Sequence, residues 1–530
     1  MGYMLLKRVM ALQRERRRSL LHRERRRRRQ ALAPGVADDD ESISSVEKRK
    51  GSSYQQDDNP HSGKMMKYSG PDLPEEIWQH IHSFMPMRDT ACAACLSSAF
   101  LYSWRNRSQL SFSIETMGIV ESTTDFIRRI DHIMNKHSGI GLKALTIEFR
   151  SFFSAKARSY LERWLQIAVT PKTEEVSLVM SSVKGKVCYD FPCTLLSDGS
   201  GSSIRVLDLY CCSFHPTAEL GCFQSLTRLN LQNVRITGDE LVCVLSTSFA
   251  LERLKLGSCH QIEHMKIPSV LQQLTYVDVH ACWRLRVIEN KAPNLHTLHI
   301  SGQDYHHPLQ LSFGESSLVK NLTMGFSFVR YHACTELPSI FPNLESLTIR
   351  LIGSTSMVSN TFLHLKHLRI TLFALTPSFP SYDYSSLVSF FDACPSLDTF
   401  IMDVRAKHPK DDSIFVNPSD LWHLPEHRHD NLQNVRILGF CSAKSLVDLT
   451  YHIIKNTSVE CLTLDTSNLF RCSSGKIRRC FRMSEDDLVE SSKALLAIRT
   501  YIEGEVPSTV KLNVVEPCSR CYVIEPFTVK

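Results

Sequence analysis

From Leu142 onward the chain returns again and again to one six-position string, apolar-x-x-apolar-x-apolar. It reads LKALTI at Leu142, IRVLDL at Ile204, LTRLNL at Leu226, LERLKL at Leu251, LTYVDV at Leu274 and LHTLHI at Leu295. VKNLTM at Val319, LESLTI at Leu344, LKHLRI at Leu365, LDTFIM at Leu397, LQNVRI at Leu432 and VECLTL at Val459 continue it. Within each string the closing residues alternate, as in Leu229-Asn230-Leu231. Alternation of this kind predicts a short strand that buries its leucines and exposes the residue between them.

Between Ile204 and Leu365 the intervals are 22, 25, 23, 21, 24, 25 and 21 residues, the period and consensus of a leucine-rich repeat. One such unit cannot bury its apolar edge alone. Neighbours therefore stack, share a continuous core and line their strands up as a parallel sheet on the concave side of a solenoid. The intervals lengthen outside this stretch, to about 31 residues before Ile204 and to 32 and 35 after Leu365, which predicts insertions or larger convex helices. Tyr160–Ala168 reads as one such helix, with Leu161, Trp164, Leu165 and Ala168 on one face. Asp486–Ile502 reads as another, and Val510–Val514 as a last strand; together these are expected to close the end of the array.

A different pattern occupies residues 72–104. Asp72 is a candidate cap and Pro74 fits a first helical turn, where Glu75 and Glu76 face the positive helix end. Ile77, Ile81 and Phe84 then fall at i, i+4 and i+7, one apolar stripe on a helix of about ten residues that Pro86 ends. A second helix is expected from Arg88-Asp89-Thr90 and a third between Leu96 and Trp104. So short a module buries too little surface to be stable alone, and needs a partner or the following domain.

Charge changes the picture at one end. Residues 1–30 hold twelve Lys or Arg against Glu15 and Glu24, a net +10 within a total of +7, so the other 500 residues sum to −3. The body is therefore no basic nucleic-acid binder, and a nuclear-import or RNA-binding reading attaches only to the Arg-rich leader. Residues 36–70 have linker composition. Lys7 and Arg8 interrupt the apolar residues of Met1–Leu12, no secretory signal follows, and no apolar run reaches the length of a membrane span. The expectation is a soluble protein of the nucleus and/or cytoplasm, without a membrane partner.

Candidate chemistry is sparse. Eighteen cysteines fit a reducing compartment, and Cys211, Cys212, Cys259 and Cys282 sit in apolar patterns as small hydrophobes. Cys92-x-x-Cys95 falls in the helical segment, and Cys518-x-x-Cys521 lacks the second half of a zinc site. His423, His427 and His429 cluster in a stretch without periodicity. No phosphate loop, GxSxG elbow or HExxH helix is present. These observations predict neither cofactor nor metal, and no catalytic residue.

Leu73-Pro74, Glu76, Ile77, Ile81, Phe84-Met85-Pro86, Arg88-Asp89, Leu96-Ser97 and Trp104 resemble the F-box. That resemblance implies docking to a small Skp-type adaptor, and through it to the cullin and RING subunits of an SCF-type ubiquitin ligase. Leu73, Pro74, Ile77, Ile81, Met85, Pro86 and Leu96 would carry the docking. Ser98 stands where many family members have a basic residue. LERWLQIAV with EEVSL at Glu174–Leu178, and SKALLAIRTYIEGEVPSTVKL at Ser492–Leu512, extend the likeness to plant F-box proteins with leucine-rich repeats and an FBD-like carboxy-terminal region.

The expected architecture is α/β: leader and linker over 1–69, F-box over 70–110, first irregular units over 111–203, regular repeats over 204–372, and irregular repeats with an FBD-like cap over 373–530. A target protein would be read by residues facing outward between the last apolar positions of each string. These are Asp208, Asn230, Lys255, Asp278, His299, Thr323, Thr348, Arg369, Ile401, Arg436 and Thr463, flanked by Arg228, Arg253, Tyr276, Asn321 and His367. Their mixed charge favours a protein partner over nucleic acid, which would want a continuous basic stripe. The family reading is a non-catalytic substrate receptor. A leucine-rich scaffold that recruits no ligase, and an RNA-associated factor using the Arg-rich leader, are the alternatives.

Overall fold

A computed structural model describes residues 74–518, except 96–97, 118–121, 138–140, 150–154, 181–188, 197–199, 218–222, 303–308, 315–316, 326–335, 353–359, 374–381, 406–411, 417–427 and 468–482. The chain divides into Met1–Pro71 and Asp72–Lys530, and the described residues all lie in the second unit. The Arg-rich leader, Asp72, Leu73, Leu96, His423 and His427 therefore fall outside them.

Among the described residues three helices come first: α1 (Glu75–Phe84), α2 (Met87–Ala94) and α3 (Ser98–Arg105). Eighteen strands follow among the described residues. β1 (Gln109–Phe112), β2 (Ala144–Phe149), β3 (Glu175–Met180), β4 (Val206–Tyr210), β5 (Arg228–Gln232) and β6 (Arg253–Gly257) open the repeat array. Then come β7 (His264–Ile267), β8 (Tyr276–His280), β9 (Val287–Asn290), β10 (Thr297–Ser301), β11 (Gln310–Phe313) and β12 (Asn321–Met324). β13 (Ser346–Ile352), β14 (His367–Phe373), β15 (Thr399–Arg405), β16 (Asn434–Leu438), β17 (Cys461–Asp465) and β18 (Lys511–Val515) complete it.

Fifteen of these form one parallel sheet in the order β1-β2-β3-β4-β5-β6-β8-β10-β12-β13-β14-β15-β16-β17-β18. Every string of the sequence pattern supplies one of its strands, in register: Leu229 pairs with Leu254, Leu254 with Val277 and Val277 with Leu298. Those positions are fully or almost fully buried, so each strand adds one rung to a single ladder of aliphatic side chains. At roughly 25 cal/mol per Å² of apolar surface removed from water, this stacked core is the main source of stability for units that could not fold singly.

The return paths behind the sheet differ along the array. β1–β3 are backed by α4 (Thr123–Lys136) and α5 (Ala155–Ala168). The predicted face of α5 is the one that packs: Leu161, Trp164, Leu165 and Ala168 are buried, with Trp164 stacked on Phe149 at 6.4 Å. The β5–β6 unit returns through α6 (Gly238–Thr247), started by a capping box in which Thr237 and Glu240 satisfy each other's backbone N–H groups. The three units after it return through β7, β9 and β11, which pair in parallel as a second, three-stranded sheet. Short helices at Leu337–Ile340 and Val388–Asp392 lie in later returns, and longer ones follow with α7 (Lys444–Asn456) and α8 (Glu485–Ala497), the latter running into a π-helical turn at Ile498–Ile502 before the edge strand β18.

A second ladder runs just past the strand ends. Cys211, Asn233, Ser258 and Ala281 have φ between 52° and 57°, and Gly302 has φ 69°. Each occupies the position after its strand. The N–H groups of Cys211, Asn233, Ser258 and Ala281 donate to Gln232, Gly257, His280 and Ser301 of the neighbouring strands. The left-handed turn thus keeps the hydrogen-bond ladder going where the chain leaves the sheet. Cys211 is accordingly a half-buried turn residue and not a core hydrophobe, whereas Cys212, Cys259 and Cys282 are buried as expected.

Candidate docking surfaces

The first helix is amphipathic in an unusual sense, because part of its apolar side faces solvent. Ile77 is 44% exposed, Ile81 37% and Phe84 76%. The stripe set by the i, i+4, i+7 spacing is therefore uncovered, and Leu101 and Tyr102 add exposed apolar area on α3. Pro74 and Pro86 are exposed and Met85 is half-buried. Pro74 sits at the N-cap of α1 with no capping side-chain bond, one position earlier than the first-turn place its sequence context predicts. Phe84 is the most exposed of the stripe, and the helical spacing that selects Ile77 and Ile81 also selects Phe84.

The opposite face of α1 is anchored. His82 is 2% exposed, its Nδ1 lies 2.7 Å from Ser103 Oγ, and its ring meets Phe100 edge-on at 5.5 Å. Burial, with the nearby Arg107 charge, holds this imidazole below the ordinary histidine range, so it packs as a neutral ring. Arg107 then ties the three helices to the sheet. Its Nη2 donates to the Met85 carbonyl at 2.9 Å, Nη1 to Thr90 Oγ1 at 2.8 Å and Nε to the carbonyl of Gln109, the first residue of β1, at 2.9 Å. Its own carbonyl lies 2.8 Å from His137 Nε2 at the end of α4. Met87 is buried in the common core and Trp104 packs against it. One face of the helical module is thus fixed to the repeats while the stripe on α1 stays open.

The second surface is the solvent face of the large sheet. Register places Asp208, Asn230, Lys255, Asp278, His299, Thr323, Thr348, Arg369, Ile401, Arg436 and Thr463 in one row. At 4.7–4.9 Å between strands, that row runs roughly 48 Å. Arg228, Arg253, Tyr276, Thr297, Asn321, Ser346 and His367 form the row beside it.

The densest contacts gather around Tyr276. The Arg253 guanidinium lies 4.7 Å and the Lys255 ammonium 5.7 Å from its ring centre, and its hydroxyl is 3.2 Å from His299 Nδ1. Burial and the Asp278 carboxylate push the Tyr276 phenol above its ordinary range. Asp278 itself is held low: burial would raise it, and the hydrogen bond and charge of His280 outweigh that, helped by His299 and Lys255. Asp208 is pushed up by burial despite Asn230 and Arg228. Sequence reasoning missed Tyr210, which accepts from Asn230 Nδ2 at 2.9 Å, and Gln232, which donates to Asn230 Oδ1 at 2.9 Å. Both lie two residues further along strands whose period-2 exposure marks them as outward. Tyrosine and arginine held rigid on a sheet are the residue types that carry most binding energy in protein interfaces.

Other sequence candidates disperse. His429 is buried with Nε2 2.7 Å from the Cys394 carbonyl. Cys92 and Cys95 are exposed thiols on and beside α2. Among the described residues no group of three His, Cys, Asp or Glu is placed to hold a metal ion, and no helix is long and apolar enough to cross a membrane.

Comparison with known proteins agrees with this architecture. The sequence model of the leucine-rich-repeat domain of At1g61320/AtMIF1 matches residues 133–519. A putative FBD-associated F-box protein of Arabidopsis thaliana, At1g61330, is 21% identical over 412 residues, 72% of this chain and 88% of its own. The Arabidopsis thaliana FBD-associated F-box protein At1g66310 is 23% identical over 386 residues, 66% of this chain and 80% of its own. A solved leucine-rich repeat protein from Bacteroides ovatus aligns over 71% of this chain and 88% of its own, at 12% identity and a TM-score of 0.13, too low a similarity to bear on the fold. With the family match covering most of its length and the repeat ladder running through it, the chain belongs to the At1g61320/AtMIF1 leucine-rich-repeat family and is a plant F-box/leucine-rich-repeat protein.

Proposed function

We propose that this protein is the substrate-recognition subunit of an SCF-type ubiquitin ligase. The observation that carries the proposal is the solvent-facing stripe of Ile77, Ile81 and Phe84 on a helix whose other face is fixed to the repeats. Full burial of such a side chain is worth roughly 1.5–3 kcal/mol. Covering the exposed parts of three supplies a useful share of the 8 kcal/mol or so that a micromolar complex requires. A Skp-type adaptor would cover the stripe, and Pro74, Met85 and Pro86 at the two ends of α1 would frame it, with Leu73 and Leu96 completing the contact. Cullin and RING subunits would follow through the adaptor.

A target protein would lie along the outward rows of the sheet, with Tyr276, Arg253, Lys255 and His299 as its anchor. In this arrangement the chain itself performs no chemistry. Holding the target near a charged ubiquitin-conjugating enzyme raises the effective concentration of its lysines, and the bond-making groups belong to other subunits. The nucleus and cytoplasm are where such an assembly would act.

The test is capture of a purified Skp-type adaptor by the immobilised full chain, beside the Ile81→Asp/Phe84→Asp variant. Capture by the wild type and loss in a variant with an unchanged unfolding temperature supports the reading. Equal capture by both, or none by the folded wild type, removes the ligase from the account and leaves a repeat scaffold.

A further inference from the structure

β13, β14 and β15 are seven residues long, against four to six for the other strands of the large sheet. Their extra length adds outward positions beyond the two rows described above. Arg350, Thr371 and Asp403 are register partners across the three strands, and Arg405 follows Asp403 on the same face, in register with Phe373. The Arg405 guanidinium lies 5.1 Å from the Phe373 ring centre.

Asp403 occupies an outward position and is nevertheless only 1% exposed. Its Oδ2 accepts from Arg369 Nε at 3.1 Å, Arg369 Nη2 at 2.5 Å and Thr371 Oγ1 at 3.2 Å. Its Oδ1 is buried without a hydrogen-bond partner among the described residues. One carboxylate, engaged by Arg369, thus stands beside Arg405 with Arg350 nearby. Burial pushes Arg405 down, and Arg350 and Arg369 lower it further against the pull of Asp403. Arg350 and, one strand beyond, Arg436 are exposed and make no hydrogen bond or ion pair among the described residues. Crowded like charges destabilise one another until an anion enters.

We propose that the face of β13–β16 is a binding site for a phosphate monoester dianion, held by Arg350, Arg369, Arg405 and Arg436. Planar guanidiniums suit phosphate oxygens because each offers two parallel N–H donors. Asp403 fixes the Arg369 fork in place. The same chemistry is presented by a phosphorylated side chain of a bound protein and by a free phosphate compound. This site deepens the target-reading half of the proposed function and does not involve the adaptor, so the two can fail separately.

The test uses the immobilised full chain and its Arg350→Gln/Arg436→Gln variant, which removes the two arginines without internal partners. The Arg-rich leader is common to both proteins, so the difference between them isolates the sheet site. Probes are a degenerate peptide library with a fixed phosphoserine, its unphosphorylated twin, and inorganic phosphate followed by thermal unfolding. Retention of the phosphorylated library at least tenfold above its twin, lost in the variant, supports the site with a phosphorylated protein as the source. Stabilisation by inorganic phosphate that the variant loses, with the two libraries retained equally, supports it with a free anion as the source. Wild type and variant behaving alike with every probe overturns it. A variant that unfolds early is replaced by Arg350→Lys/Arg436→Lys, which keeps the charge and loses the fork. Undiminished binding by that variant, with the same probe that binds the wild type, also overturns the proposal.

Discussion

The Arg107 guanidinium donates to the Met85 carbonyl at 2.9 Å, joining the chain that leaves the helical module to the turn that ends α1. The same side chain reaches Thr90 and the Gln109 carbonyl, so one residue joins α1, α2 and β1. The orientation of the exposed stripe relative to the repeats depends on this contact.

Arg107→Ala removes three side-chain hydrogen bonds, each worth about 0.5–1.5 kcal/mol. The expected outcome is faster hydrogen exchange across residues 75–105 with the strands from β4 onward unchanged. Adaptor affinity should fall although no stripe residue has been altered. Unchanged exchange in α1 and α2 would show that apolar packing of Met87 and Trp104 alone holds the module.

Acid should loosen the same region through His82. Its folded-state value is depressed below the unfolded one, so its contribution is intact above the ordinary histidine range and is lost as pH falls through that range toward the folded value. Hydrogen exchange in α1 should accelerate over that window, and His82→Gln should flatten the dependence. An equally steep profile in the variant would place the titration elsewhere.

The left-handed ladder behind the strand ends gives a pair of opposed substitutions. Gly302→Ala places a Cβ in a left-handed residue and 3.1 Å from the Ala281 nitrogen, and should destabilise by about 1–2 kcal/mol. Ala281→Gly relieves the same strain and should stabilise by up to about 1 kcal/mol, since glycine's extra unfolded-state freedom offsets part of the gain. Chemical denaturation of both variants checks the signs.

Much of the fold was legible because the strand period is 2 and the repeat period is short. A string such as LERLKL fixes which residues are buried, and stacking at constant intervals fixes the register that aligns Asn230, Lys255 and Asp278. The return paths were not legible. β7, β9 and β11 are only four residues each, and HMKI or VIEN carries too little alternation to distinguish a strand from a loop. The same holds for β1, whose QLSF gains its strand identity from pairing with β2. At the candidate surfaces, the row through Asp208 and Arg369 followed from the six-residue strings. The Arg350–Asp403–Arg405 group did not, because it exists only where three neighbouring strands run three residues beyond the string. The open stripe on α1 was legible as helical spacing, but its exposure was not, since spacing alone does not say which apolar face finds a partner within the chain.

The most direct measurement is hydrogen exchange of the full chain with and without a saturating Skp-type adaptor. The account predicts protection concentrated on residues 75–86, where Ile77, Ile81 and Phe84 lie, with the sheet face from β4 to β17 left as it was. Protection confined to the sheet face, or none at all from a folded chain, would contradict it.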